Sequence, residues 1–401
     1  MTTIFFQLSS LAVIFRIFIA LSVLVTGCGL SKKSDDQPDS VAAPVVSGSS
    51  KHGLAFSAVP TSSTFRGSTM YYYDFAAGNI RELFTSESDN PFVIALGTKV
   101  FFFLRDRTGA DFKIIEPKST SSIPTTLSIA DIEEGDPWDV VTLPNDTSKM
   151  LLALRETGRL LLAETQTGKV LDMPDIQWET DGEDFRPIGL AKKGSSIFVL
   201  HHGLDSQKEA NNSQRIFVLK NESAGVLAAE DQDASTVGID GVKLRASNAT
   251  KFFHTDESSF LTVGLSASWM GSNTSAAAEV FTPDTRKVSL LADLSDLDYE
   301  YKGNMTEGDG ETVIYAHVKK KDTEDYAVVK FDFSGGEKRA TVIEEVSHSS
   351  IFGLFFDKSS GTLFVGGKTE GGARLNLYKN DVKTSTVELS KVPYSGAFVD
   401  R

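Results

Sequence analysis

From Gly53 onward the chain runs in short apolar stretches punctuated by Gly, Asp, Asn, Ser and Thr, the pattern of β-strands joined by tight turns. No convincing helical spacing appears. One unit recurs: an apolar strand, a polar turn, and a second strand. It reads "YYYDFAAGNIRELF" from Tyr71, "FKIIEPKSTSSIPTTLS" from Phe112, "LLLAETQTGKVLDM" from Leu160 and "RIFVLKNESAGVLAA" from Arg215. Further copies are "AEVFTPDTRKVSLLA" from Ala278, "AVVKFDFSGGEKRATVI" from Ala327 and "LNLYKNDVKTSTVEL" from Leu375. These seven copies start roughly 40 to 65 residues apart, within the range of β-propeller blades.

Two more strands precede most copies. Innermost candidates include "PFVIALG" at Pro91, "PWDVVTLP" at Pro137, "RPIGLAKK" at Arg186 and "SIFGLFFD" at Ser350; second strands include "KVFFFLRD" at Lys99 and "SIFVLHHG" at Ser196. The first copy breaks the rule, because only "GLAFSAV" at Gly53 comes before it. The chain ends "YSGAFVDR", an unpaired apolar strand that fits the vacancy. The expected fold is therefore all-β: a propeller of seven four-stranded blades, its ring closed by the C-terminal strand against the N-terminal blade, which removes the free sheet edges.

Residues 4–26 are nearly all apolar apart from Arg16 and lead into "LSVLVTGCGL". Val25, Thr26, Gly27 and Cys28 resemble the lipobox of a bacterial lipoprotein signal, and Cys28 is the only cysteine in the chain. An uncleaved membrane-spanning anchor is the alternative, since the run is nearly long enough to cross a bilayer. The lipoprotein resemblance implies acylation of the Cys28 sulfur, with palmitate among the chains, and cleavage before it. It departs from the pattern in lacking a basic start and in placing Arg16 within the apolar run. Translation beginning nearer Val13 would repair both. Gly29 follows Cys28 where an aspartate would imply inner-membrane retention, so the resemblance implies the outer membrane, facing the periplasm or the cell surface. "GLSKKSDDQPDSVAAPVVSGSSKHG" lacks period and aromatic residues, and reads as a disordered tether. The expected organisation is a signal peptide over 1–28, a tether over 29–52 and the propeller over 53–401.

"AETQTGKVLDM" and "FTPDTRKVSLLA" resemble YVTN-type bacterial propeller repeats, a likeness covering about two blades. No WD signature and no sialidase-type Asp-box is present, and the only tryptophans are Trp138, Trp178 and Trp269.

The 40 basic and 54 acidic side chains give −14. Loss of the first 28 residues, whose one charge is Arg16, makes this one unit more negative. That balance argues against nucleic acid as a partner. A lone cysteine excludes internal disulfides.

Candidate chemistry follows from topology. Loops entering the innermost strands and loops between second and third strands share one mouth. Asp89, Asp136 and Asp184 precede innermost strands, and Arg105, Arg155, His201, His202, Lys319 and Lys368 end second strands. Such a polar funnel suits recognition of a charged ligand or partner, with Asp89, Asp136, Asp184, Arg105, Arg155 and His202 as the candidate set. The same residues also suit turns and cross-blade pairing. Adjacent strand residues point to opposite faces, so His201 and His202 do not form a metal site, and no metal or other cofactor is expected. The acidic runs at Asp293 and Glu307 lack the EF-hand ligand pattern. Nucleophile elbows, P-loops and dinucleotide fingerprints are absent. Tyr71, Tyr72 and Tyr73 read as strand packing with one ring exposed. Six N-x-S/T sequons, at Asn145, Asn211, Asn221, Asn248, Asn273 and Asn304, are set aside because the lipobox points to a bacterium.

The expected protein is a monomeric, lipid-anchored, non-enzymatic binding or scaffold module for an envelope protein, peptide or glycan. Alternatives are a metal-dependent, lactonase-like hydrolase with its site in the channel, and an accessory scaffold of outer-membrane assembly.

Overall fold

A computed structural model describes residues 40–60, 67–87, 89–106, 109–117, 125–129, 137–172, 174, 176–180, 184–202, 214–223, 226–267, 275–346, 353–370 and 372–400. The chain divides at Gln37, and the unit Pro38–Arg401 carries every described element. Seven antiparallel sheets form a seven-bladed β-propeller.

The first blade comprises β2 (Gly53–Val59), β3 (Ser68–Asp74) and β4 (Asn79–Ser86). The second holds β5 (Asp89–Leu96), β6 (Lys99–Asp106), β7 (Gly109–Ile115) and β8 (Thr125–Ile129); the third holds β9 (Pro137–Leu143), β10 (Asp146–Leu154), β11 (Arg159–Glu164) and β12 (Val170–Asp172). In the fourth, β13 (Pro187–Lys193), β14 (Ser196–His201) and β15 (Arg215–Ser223) are followed by an outer strand in two pieces, β16 (Val226–Glu230) and β17 (Val242–Lys243), both paired with β15. The fifth comprises β18 (Ala249–Phe253), β19 (Phe260–Gly264), β20 (Ala277–Thr282) and β21 (Lys287–Asp293). The sixth is β22 (Tyr299–Glu307), β23 (Val313–Lys320), β24 (Tyr326–Asp332) and β25 (Arg339–Val346). The seventh is β26 (Leu354–Asp357), β27 (Thr362–Lys368), β28 (Ala373–Lys379) and β29 (Val382–Leu389). The last strand, β30 (Val392–Val399), pairs with β2 from Gly53↔Val399 to Val59↔Val392 and becomes the innermost strand of the first blade. The C-terminal segment thus closes the ring as its sequence predicts, although the strand begins two residues before Tyr394.

Each blade lies between two others, so a strand in its middle buries both faces. That accounts for uninterrupted apolar runs such as Phe101–Phe102–Phe103. Phe101 and Phe103 pack toward the third blade with Val140, Met150 and Leu152. Phe102 and Val100 point the other way, onto Ala55, Met70 and Tyr72 of the first blade. Seven such clusters fill the interfaces around the ring. Each fully buried Phe contributes about 2–3 kcal/mol. The same logic corrects the expectation for the tyrosine run: Tyr71, Tyr72 and Tyr73 are all buried, because the seventh and second blades cover both faces of β3 and leave no ring in solvent.

The structureless tether expected to run to residue 52 also needs correction. β1 (Ser40–Ala42) adds a fifth strand outside β4, with Val41 opposite Ile80. Ala43 N–H donates to Gly78 O at 3.0 Å, Val46 is buried, and His52 N–H donates to Val399 O at 2.8 Å. Composition suggested disorder, but β4 offers an open edge that three residues can satisfy. Residues 1–39, including Cys28, lie outside the described residues.

Candidate functional site

Six of the seven innermost strands carry a register shift. Register shifts fall between Asp89 and Phe92 in β5, between Pro137 and Asp139 in β9, and between Pro187 and Gly189 in β13. They recur between Ala249 and Phe252 in β18, Tyr301 and Met305 in β22, and Pro393 and Ser395 in β30. A bulge carries an unpaired residue and re-aims side chains. The bulged positions include Trp138, Thr250, Lys251, Asn304 and Tyr394, polar and aromatic groups from several blades. Pro393 sits beside a bulge in a strand paired on one side only, where a missing N–H is tolerated.

One corner of the mouth is built from the third, fourth and fifth blades. The Arg155 guanidinium lies over the Trp138 ring, 4.6 Å from its centroid, and reaches Glu156 at 3.0 Å. The turn after Arg155 passes Gly158, whose φ of +64° and close approach to Phe185 O exclude a side chain; that packing sets Arg155 beside the Phe185–Arg186 segment. Arg186 pairs with the exposed Asp184 at 3.4 Å. Arg186 N–H donates to His201 Nδ1 at 3.0 Å, while Arg186 O accepts from His202 N–H at 2.9 Å. His202 is buried and shares a side-chain hydrogen bond with Asn248; burial first, and then the Arg155 charge, pushes its imidazole down to about 3. His201 instead stacks against Phe185, 5.7 Å between ring centroids. The two histidines therefore face different neighbours, as strand alternation requires.

The structure thus gathers Arg155, Asp184 and His202 into one corner. Asp89 and Arg105 lie opposite each other in the β5–β6 register on the second blade. Asp136 lies outside the described residues. Lys319, expected at the same mouth, reaches Glu324 at 2.5 Å.

Deeper groups were not anticipated. Asp139 accepts from Val140 N–H at 2.8 Å and from Leu190 N–H on the next innermost strand at 2.7 Å. The Leu190 amide lies on the free edge of β13, which the Asp139 carboxylate from the neighbouring blade satisfies, while the Val140 bond is local to β9. Burial nonetheless raises the carboxyl to about 7 against the lowering effect of both donors and of Lys251. Lys251, on β18, is half-buried and its pKa is lowered by burial, with Glu307 and Asp139 opposing. Tyr301 shares a side-chain hydrogen bond with Thr250, and burial raises its phenol with a further contribution from Tyr394. Asn304 Nδ2 donates to Tyr394 O at 3.3 Å. The sequence reading singled out none of these positions. The only hint in the sequence is a polar or charged residue inside some predicted innermost strands, such as Asp139 in "PWDVVTLP". Among the described residues, no three His, Cys, Asp or Glu side chains converge in a way that could hold a metal ion.

No family model matches the chain, and no curated protein matches it. Solved structures do. The periplasmic gluconolactonase of Pseudomonas aeruginosa superposes over 86% of this chain and 98% of its own, with a TM-score of 0.57 and 12% identity. A Bacteroides uniformis protein described as a candidate 6-phosphogluconolactonase covers 87% of this chain and 100% of its own, with a TM-score of 0.59 and 12% identity. A Lactobacillus plantarum protein gives the same figures. At such identities the likeness is one of fold, and the fold is that of a seven-bladed β-propeller.

Proposed function

We propose that the protein is a non-enzymatic binding module of the bacterial envelope, anchored to the outer membrane through acylated Cys28, that uses the bulged mouth of its propeller to hold a protein, peptide or glycan partner. The observation that supports this most is the set of register shifts in six innermost strands. They lift Trp138, Thr250, Lys251, Asn304 and Tyr394 out of the regular ladder on a rigid scaffold. Arg155 stacked on Trp138, with Arg186 alongside, suits a partner bearing acidic groups, because both guanidinium groups are held in place by carboxylates that a ligand's own could replace.

The test is a pull-down from gently solubilised envelopes with the intact lipidated protein and an Arg155→Ala, Arg186→Ala variant. A stoichiometric partner retained by the first and lost from the second supports the reading. A metal-dependent hydrolytic activity, lost on chelation and unaffected in the variant, would instead favour the lactonase-like alternative. The channel groups Asp139, Lys251 and Tyr301 keep that alternative open, since buried titratable side chains in a cleft are the raw material of acid–base chemistry.

A further inference from the structure

The outer strand of the fourth blade is interrupted between β16 and β17 by an excursion, residues 231–241, that rejoins the ladder at Val242. On it Val237 is 95% exposed, the most exposed large apolar side chain among the described residues. A lone surface valine needs no explanation. This one borders a cleft of about 400 Å³ whose other apolar walls are Ile176, Ala229 and Ile239. Ile176 belongs to the segment that leads from the third blade into the fourth, so the cleft is shared between the two.

The excursion is fixed from both sides. Ile239 N–H donates to Gln177 O at 2.7 Å and Glu179 N–H to Ile239 O at 2.9 Å, a parallel bridge across Trp178. Gly238 permits that approach, since a Cβ there would lie 2.9 Å from Glu179 N. Trp178 stacks on Phe185 and meets Phe217 edge-on, with centroids 4.5 and 4.8 Å away. Asp231 accepts from Asp233 N–H at 3.2 Å and from Asp240 N–H at 3.0 Å, which closes the base of the loop. A preformed cleft asks little ordering of the protein when it binds.

Charge narrows the occupant. The excursion carries three aspartates and no basic residue. Asp240 is paired with the buried Arg215. Asp231 and Asp233 are exposed, and neither forms an ion pair among the described residues; Asp233 accepts only from Ser235 of its own turn, at 3.0 and 2.7 Å. Lys220 and Arg286 are both committed to Glu230, and Glu179 and Lys243 on the flanking segments carry opposite charges. We propose that this cleft is a docking surface for a partner protein, seating one aliphatic or aromatic side chain that is flanked by lysine or arginine. The apolar walls take the anchor, and Asp231 and Asp233 take the flanking cations. The chain's formal charge of −14 favours the approach of a basic partner. Arg155 and Arg186 call for acidic groups instead, and the inference does not rest on what the mouth binds.

The experiment titrates the full chain, labelled at isoleucine and valine methyls, with three capped pentapeptides: KKLKK, KKSKK and EELEE. Millimolar KKLKK should shift the methyl resonances of Ile176, Val237 and Ile239 in NMR spectra, and the other two peptides should leave them in place. Val237→Ser, at a site already in solvent, should keep the native melting temperature and weaken binding about tenfold, the loss expected of one anchor contact. The Asp231→Asn, Asp233→Asn variant keeps the acceptor oxygens that shape the turns and should lose the salt dependence of binding with most of the affinity. Unshifted resonances with KKLKK would overturn the proposal, as would equal shifts with KKSKK or EELEE. Self-association of the native protein in sedimentation, lost in Val237→Ser, would assign the cleft to a second copy of this chain and overturn it too. The Arg155→Ala, Arg186→Ala variant should bind KKLKK like the native protein, so that failure of the mouth reading and failure of this one are told apart.

Discussion

At the scale of single residues, the mouth buries titratable groups whose shifts act on stability in opposite directions. His202, held down to about 3, is neutral in the folded chain at pH 5, whereas an unfolded histidine protonates near 6.5. The unfolded state therefore takes up more protons, and stability is lost as pH falls from about 6.5 toward 3. His317, pushed down to about 4 by burial and by Lys302, adds to the same slope. His202→Gln should lose less melting temperature between pH 7 and pH 5 than the native protein; equal slopes would show that His202 is not buried neutral. Asp139 works the other way. With its carboxyl raised to about 7, the folded state holds the proton more tightly, and stability declines as pH rises from about 4 to 7. Asp139→Asn gives up one acceptor but removes that decline. Its melting temperature relative to the native protein should improve from pH 4 to about pH 7 and level off above it. These effects were not legible in the sequence, because neither a histidine ending a strand nor an aspartate within one announces what the neighbouring blade brings against it. Arg155, Asp184 and His202 were legible as neighbours, since topology alone puts their loops at one mouth.

At the scale of elements, period-two alternation and turn residues located the strand pairs well: the copy from Tyr71 became β3 and β4, and the copy from Leu375 became β28 and β29. What they missed is local departure from alternation. A bulge consumes one residue without changing composition, so the shifts in β9, β18 and β22 leave no mark in the apolar pattern. β1 is three residues in a polar, Pro-containing stretch, and its pairing depends on the open edge of β4. Polar seams between blades were equally hidden. Glu344 on β25, nearly buried, reaches across to β28, where Arg374, Asn376 and Tyr378 occupy alternate positions on one face. It accepts from Arg374 at 2.8 Å, from Asn376 at 2.8 and 3.0 Å, and from Tyr378 at 2.6 Å. Removing the carboxylate strands three donors in the interface between the sixth and seventh blades. Glu344→Ala should cost about 3 kcal/mol in urea unfolding, and Glu344→Gln clearly less, because the amide oxygen still accepts. A loss below about 1 kcal/mol for the alanine variant would mean that water replaces the carboxylate there.

At the scale of the whole molecule, the two ends of the folded unit are held by the same contacts. β30 supplies the innermost strand of the first blade, pairing with β2 along its whole length. The N-terminal segment crosses the ends of the strands it joins. His52 N–H bonds Val399 O, Lys51 reaches Asp400 at 2.5 Å, and Ser50 N–H reaches Ser359 Oγ on the seventh blade at 2.8 Å. The lysine pair is exposed and contributes about 0.5 kcal/mol; the backbone bonds and the buried Val399 carry more. Deleting residues 397–401 strips Leu54 and Ala55 of their innermost partners and opens the ring, so the loss should reach about 4 kcal/mol or more and turn one sharp thermal transition into a broad one. Deleting residues 40–52 removes β1, the buried Val46 and the staple to Ser359, with an expected loss of about 2–3 kcal/mol. Because both truncations destroy the His52–Val399 and Lys51–Asp400 contacts, the combined variant should be more stable than the sum of the single losses predicts, by about 1 kcal/mol. Strict additivity would mean that the two ends stabilise the ring independently, and an unchanged melting temperature after loss of 397–401 would refute closure of the ring by β30.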